Sequence, residues 1–115
     1  MYLPKVIAYN AKVAEACHRY AVIAKYLGLK GETDEQLKDA LIARIRQMND
    51  QLHIAQCIRD YEGGMVGEEE FLAKLPEVAK NAVGDACTGS NPRPITPEQM
   101  EQLLKCCYYD TEVDF

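Results

Sequence analysis

The sequence predicts an all-α fold of about five helices, on three observations. No alternating apolar–polar run of any length occurs that would suit a strand. Apolar residues instead recur three and four apart, the spacing that places them on one face of a helix. Two segments, Thr33-Asp34-Glu35-Gln36 and Thr96-Pro97-Glu98-Gln99, carry the capping-box pattern. In that pattern the Thr and Gln side chains each satisfy a backbone donor exposed at a helix start.

The first element spans residues 1–11, with Leu3, Val6 and Ile7 at helical spacing. Pro4 suits a first turn, where a missing N–H costs nothing. No Ser, Thr, Asp or Asn precedes it as a cap. The expectation is that this helix begins before Met1 and that the chain starts part-way along it. The second helix covers residues 13–27, with Ala14, Cys17, Tyr20, Ala21, Ala24 and Leu27 on one face and Gly28 as its stop. The third opens at the Thr33 box and carries Leu37, Leu41, Ile45, Met48 and Leu52 as its stripe. Residues 53–67 are ambiguous: Ile54, Cys57 and Ile58 suit a short helical turn that Gly63-Gly64 would end. The fourth helix begins near Glu68, where Glu68, Glu69 and Glu70 complement the positive end of the helix dipole. Phe71, Leu72, Leu75, Val78, Ala79, Ala82 and Val83 continue its apolar face, with Pro76 as a possible kink. The fifth follows the Thr96 box, with Met100, Leu103, Leu104 and Cys107 in register. The tail from Asp110 to Phe115 is expected to be loosely held, with Phe115 its one candidate for docking.

Composition narrows the function classes. At 115 residues the chain is one domain at most, and 48% apolar with 27% charged residues is ordinary globular composition. Thirteen basic residues scattered among eighteen acidic ones give a net charge of −5. That argues against a nucleic-acid surface, which needs clustered Lys and Arg. No apolar run approaches the ~20 residues that span a bilayer, and no basic-then-apolar export signal opens the chain. The expectation is a cytoplasmic protein with no nucleic-acid or membrane partner. The five cysteines (Cys17, Cys57, Cys87, Cys106, Cys107) are odd in number and irregular in spacing, so they form no evident disulfide framework. No Cys-x-x-Cys pair occurs and His18 and His53 lie far apart, so the ligand pattern of a closed zinc site is absent.

One segment exceeds what a turn requires. Asp85-Ala86-Cys87-Thr88-Gly89-Ser90-Asn91-Pro92-Arg93 ends the fourth helix with small residues, a thiol and an Asn-Pro-Arg. A helix-to-helix loop needs only a Gly or Pro and some polar residues. Two readings of Cys87 stand: a small apolar residue packed at a helix end, or a thiol on the wall of a pocket. A nucleophilic role would need a base or positive field close by, and no His lies near it in sequence. Arg93 would either anchor an anion or tie the turn to a neighbouring helix by a salt bridge. His18 and His53 read as surface or capping residues. Cys106 and Cys107 point in different directions around a helix, with core packing the default for Cys107. No phosphate loop, dinucleotide fingerprint or nucleophile elbow is present.

These residues also carry a resemblance. The segment Asp85 to Arg93, with Leu75-Pro76 and a run of alanines before it and a capped helix after it, resembles the C-terminal end of iron-containing alcohol dehydrogenases. The opening Leu3-Pro4-Lys5-Val6-Ile7-Ala8-Tyr9-Asn10 is similar to the Leu-Pro-x-Val-x-x-Tyr-Asn segment of that family's helical domain. The nearest branch includes lactaldehyde reductase, butanol dehydrogenase and the alcohol-dehydrogenase half of the aldehyde–alcohol enzyme. The likeness covers nearly the whole chain, is specific at both ends and is loose between about Gly28 and Gly67. There His53-Ile54-Ala55-Gln56 lacks the proline that many relatives carry.

The resemblance implies hydride transfer between NAD(P) and a small alcohol or aldehyde, with iron or zinc polarising the substrate oxygen. It places the metal ligands, one Asp and three His, upstream of the Leu-Pro-x-Val segment, along with the nucleotide-binding domain. Residues 1–115 would then be a partial all-α domain, the C-terminal portion of the helical domain. Such a chain would bind neither metal nor cofactor by itself and would be inactive alone. The resemblance puts Cys87 on the substrate-pocket wall beside Thr88 and Gly89, while Asn91, Pro92 and Arg93 structure the turn. No catalytic residue and no metal ligand is expected here. Exposed apolar faces make self-association the expected oligomeric behaviour. Two other readings are a free-standing helical interaction module and a thiol redox protein using Cys87 or Cys106 and Cys107.

Overall fold

A computed structural model describes all residues, 1–115, as five α-helices without a strand: α1 (Leu3–Asn10), α2 (Ala14–Tyr26), α3 (Asp34–Gln51), α4 (Glu68–Gly84) and α5 (Pro97–Tyr109). The fold is all-α, as the apolar spacing predicts.

Both capping boxes start helices. Thr33 Oγ1 accepts from the Gln36 N–H at 3.2 Å, and the Gln36 side chain accepts from Glu32 N–H at 2.8 Å. At α5 the box is reciprocal: Thr96 Oγ1 accepts from Gln99 N–H at 3.2 Å, while Gln99 Oε1 accepts from Thr96 N–H at 3.1 Å. Pro97 fills the first position of α5, where it pre-sets the helical φ. Tyr2 already has helical dihedrals, and no side chain caps the start of α1. α4 is a single helix that runs through Pro76 to Gly84.

Two packings organise these helices. α2 lies along α3, with Ile7 of α1 added, and together they bury Ile7, Ala21, Ala24, Leu37 and Leu41. The small Ala21 and Ala24 let the helices approach closely. α4 packs on α5, where the Phe71 and Tyr108 rings stack at 4.2 Å between centroids. α1 joins the two halves through Tyr9, which is buried with Leu103, Cys106 and Val113.

Several stripes are narrower than their sequence pattern. Leu3, Leu27, Met48, Leu52, Leu72 and Val78 are exposed, although each continues an apolar face. Residues 54–58 form no helical turn. Their backbone instead runs against the end of α5, with Ile58 N–H bonded to Cys107 O at 3.0 Å, and a short 3-10 turn follows at Tyr61–Gly63.

The tail departs most from expectation. It is docked along its length, because side chains from three distant elements hold it. Lys5 Nζ donates to Thr111 O at 2.8 Å and pairs with Asp110 at 2.9 Å. Arg46 makes a two-pronged bond to the Asp110 carboxylate at 2.8 and 2.7 Å. Val113 is buried, Phe115 lies against Tyr9 with ring centroids 5.9 Å apart, and Arg93 donates to Phe115 O at 2.8 Å.

Candidate functional site

The segment after α4 forms one wall of a cleft of about 480 Å³ between α1, α2 and α5. Volumes of this size suit small-molecule sites. Val6, Ile95, Met100 and Leu103 give it apolar walls, Tyr9, Asn10 and Tyr20 line it from α1 and α2, and Cys87, Thr88, Ser90, Asn91 and Pro92 close one side.

Local hydrogen bonds shape that side. α4 stops because Asp85 turns extended, with ψ 137°. The Asp85 carboxylate then accepts from Cys87 N–H at 2.8 Å, an Asx-type turn that reverses the chain. Thr88 Oγ1 donates to Ala82 O at 2.6 Å, satisfying a carbonyl that the helix end leaves free. Ser90 Oγ donates to Cys87 O at 2.8 Å, within a short 3-10 turn at Thr88–Ser90.

Cys87 is the exposed thiol of the five; Cys17, Cys57, Cys106 and Cys107 are buried. Within these residues Cys87 is exposed at the edge of the cleft and is not packed among apolar neighbours. Thr88 and Ser90 line the cleft with it, whereas Gly89 does not. A Cβ built on Gly89 would meet nothing within 4 Å.

Asn91 and Arg93 hold the turn against α1 and the tail. Asn91 and Asn10 exchange amide hydrogen bonds at 2.7 and 3.0 Å, and Asn91 also donates to Arg93 O at 2.6 Å. Arg93 forms no salt bridge, contrary to one of its sequence readings. It donates to the carbonyl oxygens of Tyr9 and Phe115 and lies 4.0 Å over the Tyr9 ring. Both carbonyls accept from one guanidinium nitrogen, which leaves the flat face of the group to lie on the ring.

The other candidate residues lie elsewhere. His18 Nδ1 is 2.8 Å from the Asp34 carboxylate at the start of α3, in solvent. His53 sits exposed beyond α3 in the left-handed region, with φ 55°. Cys106 donates to Glu112 O at 3.2 Å, while Cys107 packs with Ile58 and Tyr108. Burial pushes the Cys107 thiol up to about 12, so it is protonated and unreactive at neutral pH. Burial raises Cys17 and Cys57 as well. Nowhere do three His, Cys, Asp or Glu side chains converge as metal ligands would. No helix is long and apolar enough to cross a membrane.

Sequence reasoning missed Tyr9, Asn10 and Tyr20 as cleft residues. Asn10 carried the one available signal, a polar side chain ending an apolar helix. Its burial to 2% exposure marks it as structurally committed.

Comparison with known proteins shows the family to which the chain belongs. The family model of the Fe-containing alcohol dehydrogenase family, C-terminal, matches residues 1–108. The chain is 42% identical over 115 residues to the NADPH-dependent butanol dehydrogenase of Clostridium saccharobutylicum, covering 100% of this chain and 28% of that protein. It is 40% identical over 96 residues to the aldehyde-alcohol dehydrogenase of Clostridium acetobutylicum, covering 83% of this chain and 11% of the relative. With the lactaldehyde reductase of Escherichia coli K12 it shares 32% identity over 103 residues, 88% of this chain and 25% of the relative. The chain thus spans about a quarter or less of the length of these relatives.

Proposed function

The chain belongs to the Fe-containing alcohol dehydrogenase family, and from that premise we propose that it is the helical C-terminal part of an NAD(P)- and metal-dependent oxidoreductase of small alcohols and aldehydes. The observation that carries this reading is the cleft. It is the right size for a short aliphatic molecule, it is walled by Val6, Ile95, Met100 and Leu103, and it has an exposed Cys87 on its side.

In this reading the chain's contribution is shape. Cys87 and Thr88 form the wall that sets how long or branched a substrate fits, and the apolar residues exclude water from the reacting carbon. Asn91, Pro92 and Arg93 keep that wall in place from behind, and Gly89 keeps the turn small. The thiol is wall and not nucleophile, because no base partners it: Cys87 has a hydrogen bond only through its backbone N–H and carbonyl.

The donors of this chain do not fit a metal, since its histidines lie apart and no acidic or thiol cluster joins them. It also lacks a glycine-rich phosphate cradle at a helix start. We therefore assign the metal and nicotinamide sites to residues outside these 115, and derive no step through either group here. The 115 residues by themselves are expected to be inactive. The exposed Leu3, Leu72 and Val78 then belong to contacts with the rest of the enzyme or with a second copy.

The test is an assay of the intact protein that carries this chain. NADH or NADPH oxidation is followed with straight-chain aldehydes of two to six carbons, for the parent and for Cys87→Ile. The reading expects turnover and a shift of kcat/KM toward the shorter aldehydes in the variant. Absence of turnover with every aldehyde would refute the oxidoreductase, and an unchanged length profile would refute the wall assignment. Aldehyde reduction by the 115-residue chain alone would overturn the assignment of cofactor sites elsewhere.

A further inference from the structure

The hydrogen-bond network beneath the cleft has a fixed direction. The Arg93 carbonyl oxygen can only accept, so the Asn91 atom 2.6 Å from it is the amide nitrogen. That nitrogen also donates to Asn10 Oδ1 at 2.7 Å. The Asn10 amide nitrogen is thereby turned toward Asn91 Oδ1 at 3.0 Å and the Tyr20 hydroxyl at 3.3 Å. Amide orientation is properly assigned from partners, and this run of partners ends on a backbone carbonyl. The Tyr20 hydroxyl therefore receives a hydrogen from Asn10, which is its one partner in the chain, and keeps its own hydrogen free.

Placement gives that free donor a target. Tyr20 lines the same cleft as Cys87. Its ring is anchored against the buried cluster of Ile7, Ala21, Ala24, Leu37 and Leu41, so the hydroxyl is presented on a rigid support. Most of the remaining wall is apolar. Besides the weak donor of the Cys87 thiol, the Tyr20 hydroxyl is the free side-chain donor of this lining. A hydroxyl donor in such a surrounding discriminates strongly, because it loses its hydrogen bond when the occupant has no oxygen to offer.

We propose that Tyr20 is a binding residue of the cleft, positioned by Asn10, and that its hydroxyl donates to an oxygen of the occupant other than the one that changes oxidation state. This rests on the alcohol–aldehyde reading above and adds to it a preference for a second oxygen on the substrate.

The experiment compares propane-1,2-diol and propane-1,3-diol with butan-1-ol, three molecules of equal heavy-atom count, as substrates of the intact protein. The quantity read is the ratio of kcat/KM for the better diol to that for butan-1-ol. Tyr20→Phe, which keeps the ring and removes the donor, should lower this ratio about tenfold or more. Asn10→Asp should lower it similarly, because a carboxylate accepts the Tyr20 hydrogen and turns it away from the cleft. A ratio unchanged within twofold in Tyr20→Phe overturns the proposal. If no alcohol is oxidised at all, the oxidoreductase reading fails separately. Ligand-detected NMR with propane-1,3-diol then decides the donor: binding lost in Tyr20→Phe supports it, and equal binding or none in the parent overturns it.

Discussion

Arg93 holds Tyr9 from two sides: its guanidinium lies 4.0 Å over the ring, and one of its nitrogens donates to the Tyr9 carbonyl at 3.0 Å. The same nitrogen reaches Phe115 O at 2.8 Å, and the Tyr9 hydroxyl donates to Pro94 O at 2.7 Å. Three segments far apart in sequence, α1, the turn after α4 and the tail, thus meet at one pair of residues. The junction ties the far end of the turn that carries Cys87 to α1 and the tail, while hydrogen bonds within the turn shape its near end.

Removing the guanidinium should therefore loosen all three at once. Arg93→Ala removes the shorter of two hydrogen bonds to the Tyr9 carbonyl, leaving only the Lys12 N–H at 3.4 Å, in a residue that is 1% exposed. Losing hydrogen bonds from a charged donor costs about 1.5–3 kcal/mol, and the lost cation–π contact about 0.5–1 kcal/mol. Arg93→Lys keeps the charge but loses the planar fork and the stacking, and should recover less than half of the loss. Urea unfolding of the two variants against the parent measures both effects. A Lys variant as stable as the parent would show that charge alone suffices.

Asp110 makes acid stability predictable in sign. Its hydrogen bonds to Arg46 and Lys5 hold its carboxyl well below the usual aspartate range. A carboxylate with a depressed folded-state pKa adds stability that is fully present above its unfolded value of about 3.9 and is lost as pH falls toward the folded value. Stability should then drop with a slope below about pH 4 that Asp110→Asn flattens. At neutral pH the Asn variant should be weaker by about 1–3 kcal/mol, the scale of hydrogen bonds to a charged group reduced by screening because Asp110 and Arg46 are partly open to water. Asn tolerates the left-handed backbone found at this position, φ 57°, so the loss reports charge and not strain. Denaturant midpoints between pH 2 and pH 8 for parent and variant decide it, and parallel curves would sink the account.

The parts of this fold legible in sequence are those set by neighbours along the chain. Thr33 and Thr96 announce helix starts because their partners, Gln36 and Gln99, stand three residues away. The tail was illegible because Lys5 and Arg93 hold it by the carbonyls of Thr111 and Phe115, acceptors that any residue offers. The stripes of α3 and α4 showed which residues are apolar, but not that Met48, Leu72 and Val78 lie beyond the partners present. At the site, the turn itself stood out by composition. Tyr20 did not, because its spacing is that of a core residue and only the fold brings Asn10 to its hydroxyl.

Two substitutions separate the local devices from the site. Thr96→Ala removes one half of a reciprocal capping box and should cost about 1–2 kcal/mol. Gly89→Ala adds a methyl group where nothing lies within 4 Å and should change stability by less than about 0.5 kcal/mol. Thermal unfolding distinguishes them. A Gly89→Ala loss as large as that of Thr96→Ala would mean that the turn after α4 is tighter than its open surroundings indicate.

The thiols should separate by reaction rate. Cys87 is exposed, while Cys17, Cys57, Cys106 and Cys107 are buried, and burial raises Cys17, Cys57 and Cys107. The thiolate is the reacting species and needs access. Iodoacetamide at pH 7.5 should thus label Cys87 first, with about one equivalent added before any other thiol reacts, as mass spectrometry of the digested protein would show. In the intact enzyme the alkylated side chain would narrow the cleft, so aldehyde turnover should fall in step with labelling. Saturating butan-1-ol should slow both. Labelling of Cys87 that neither alters turnover nor responds to the alcohol would separate this residue from the substrate. Uniform labelling of all five thiols would show instead that the buried packing around α5 opens readily, since Cys106 and Cys107 face two different clusters and cannot both be reached without parting α5 from its neighbours.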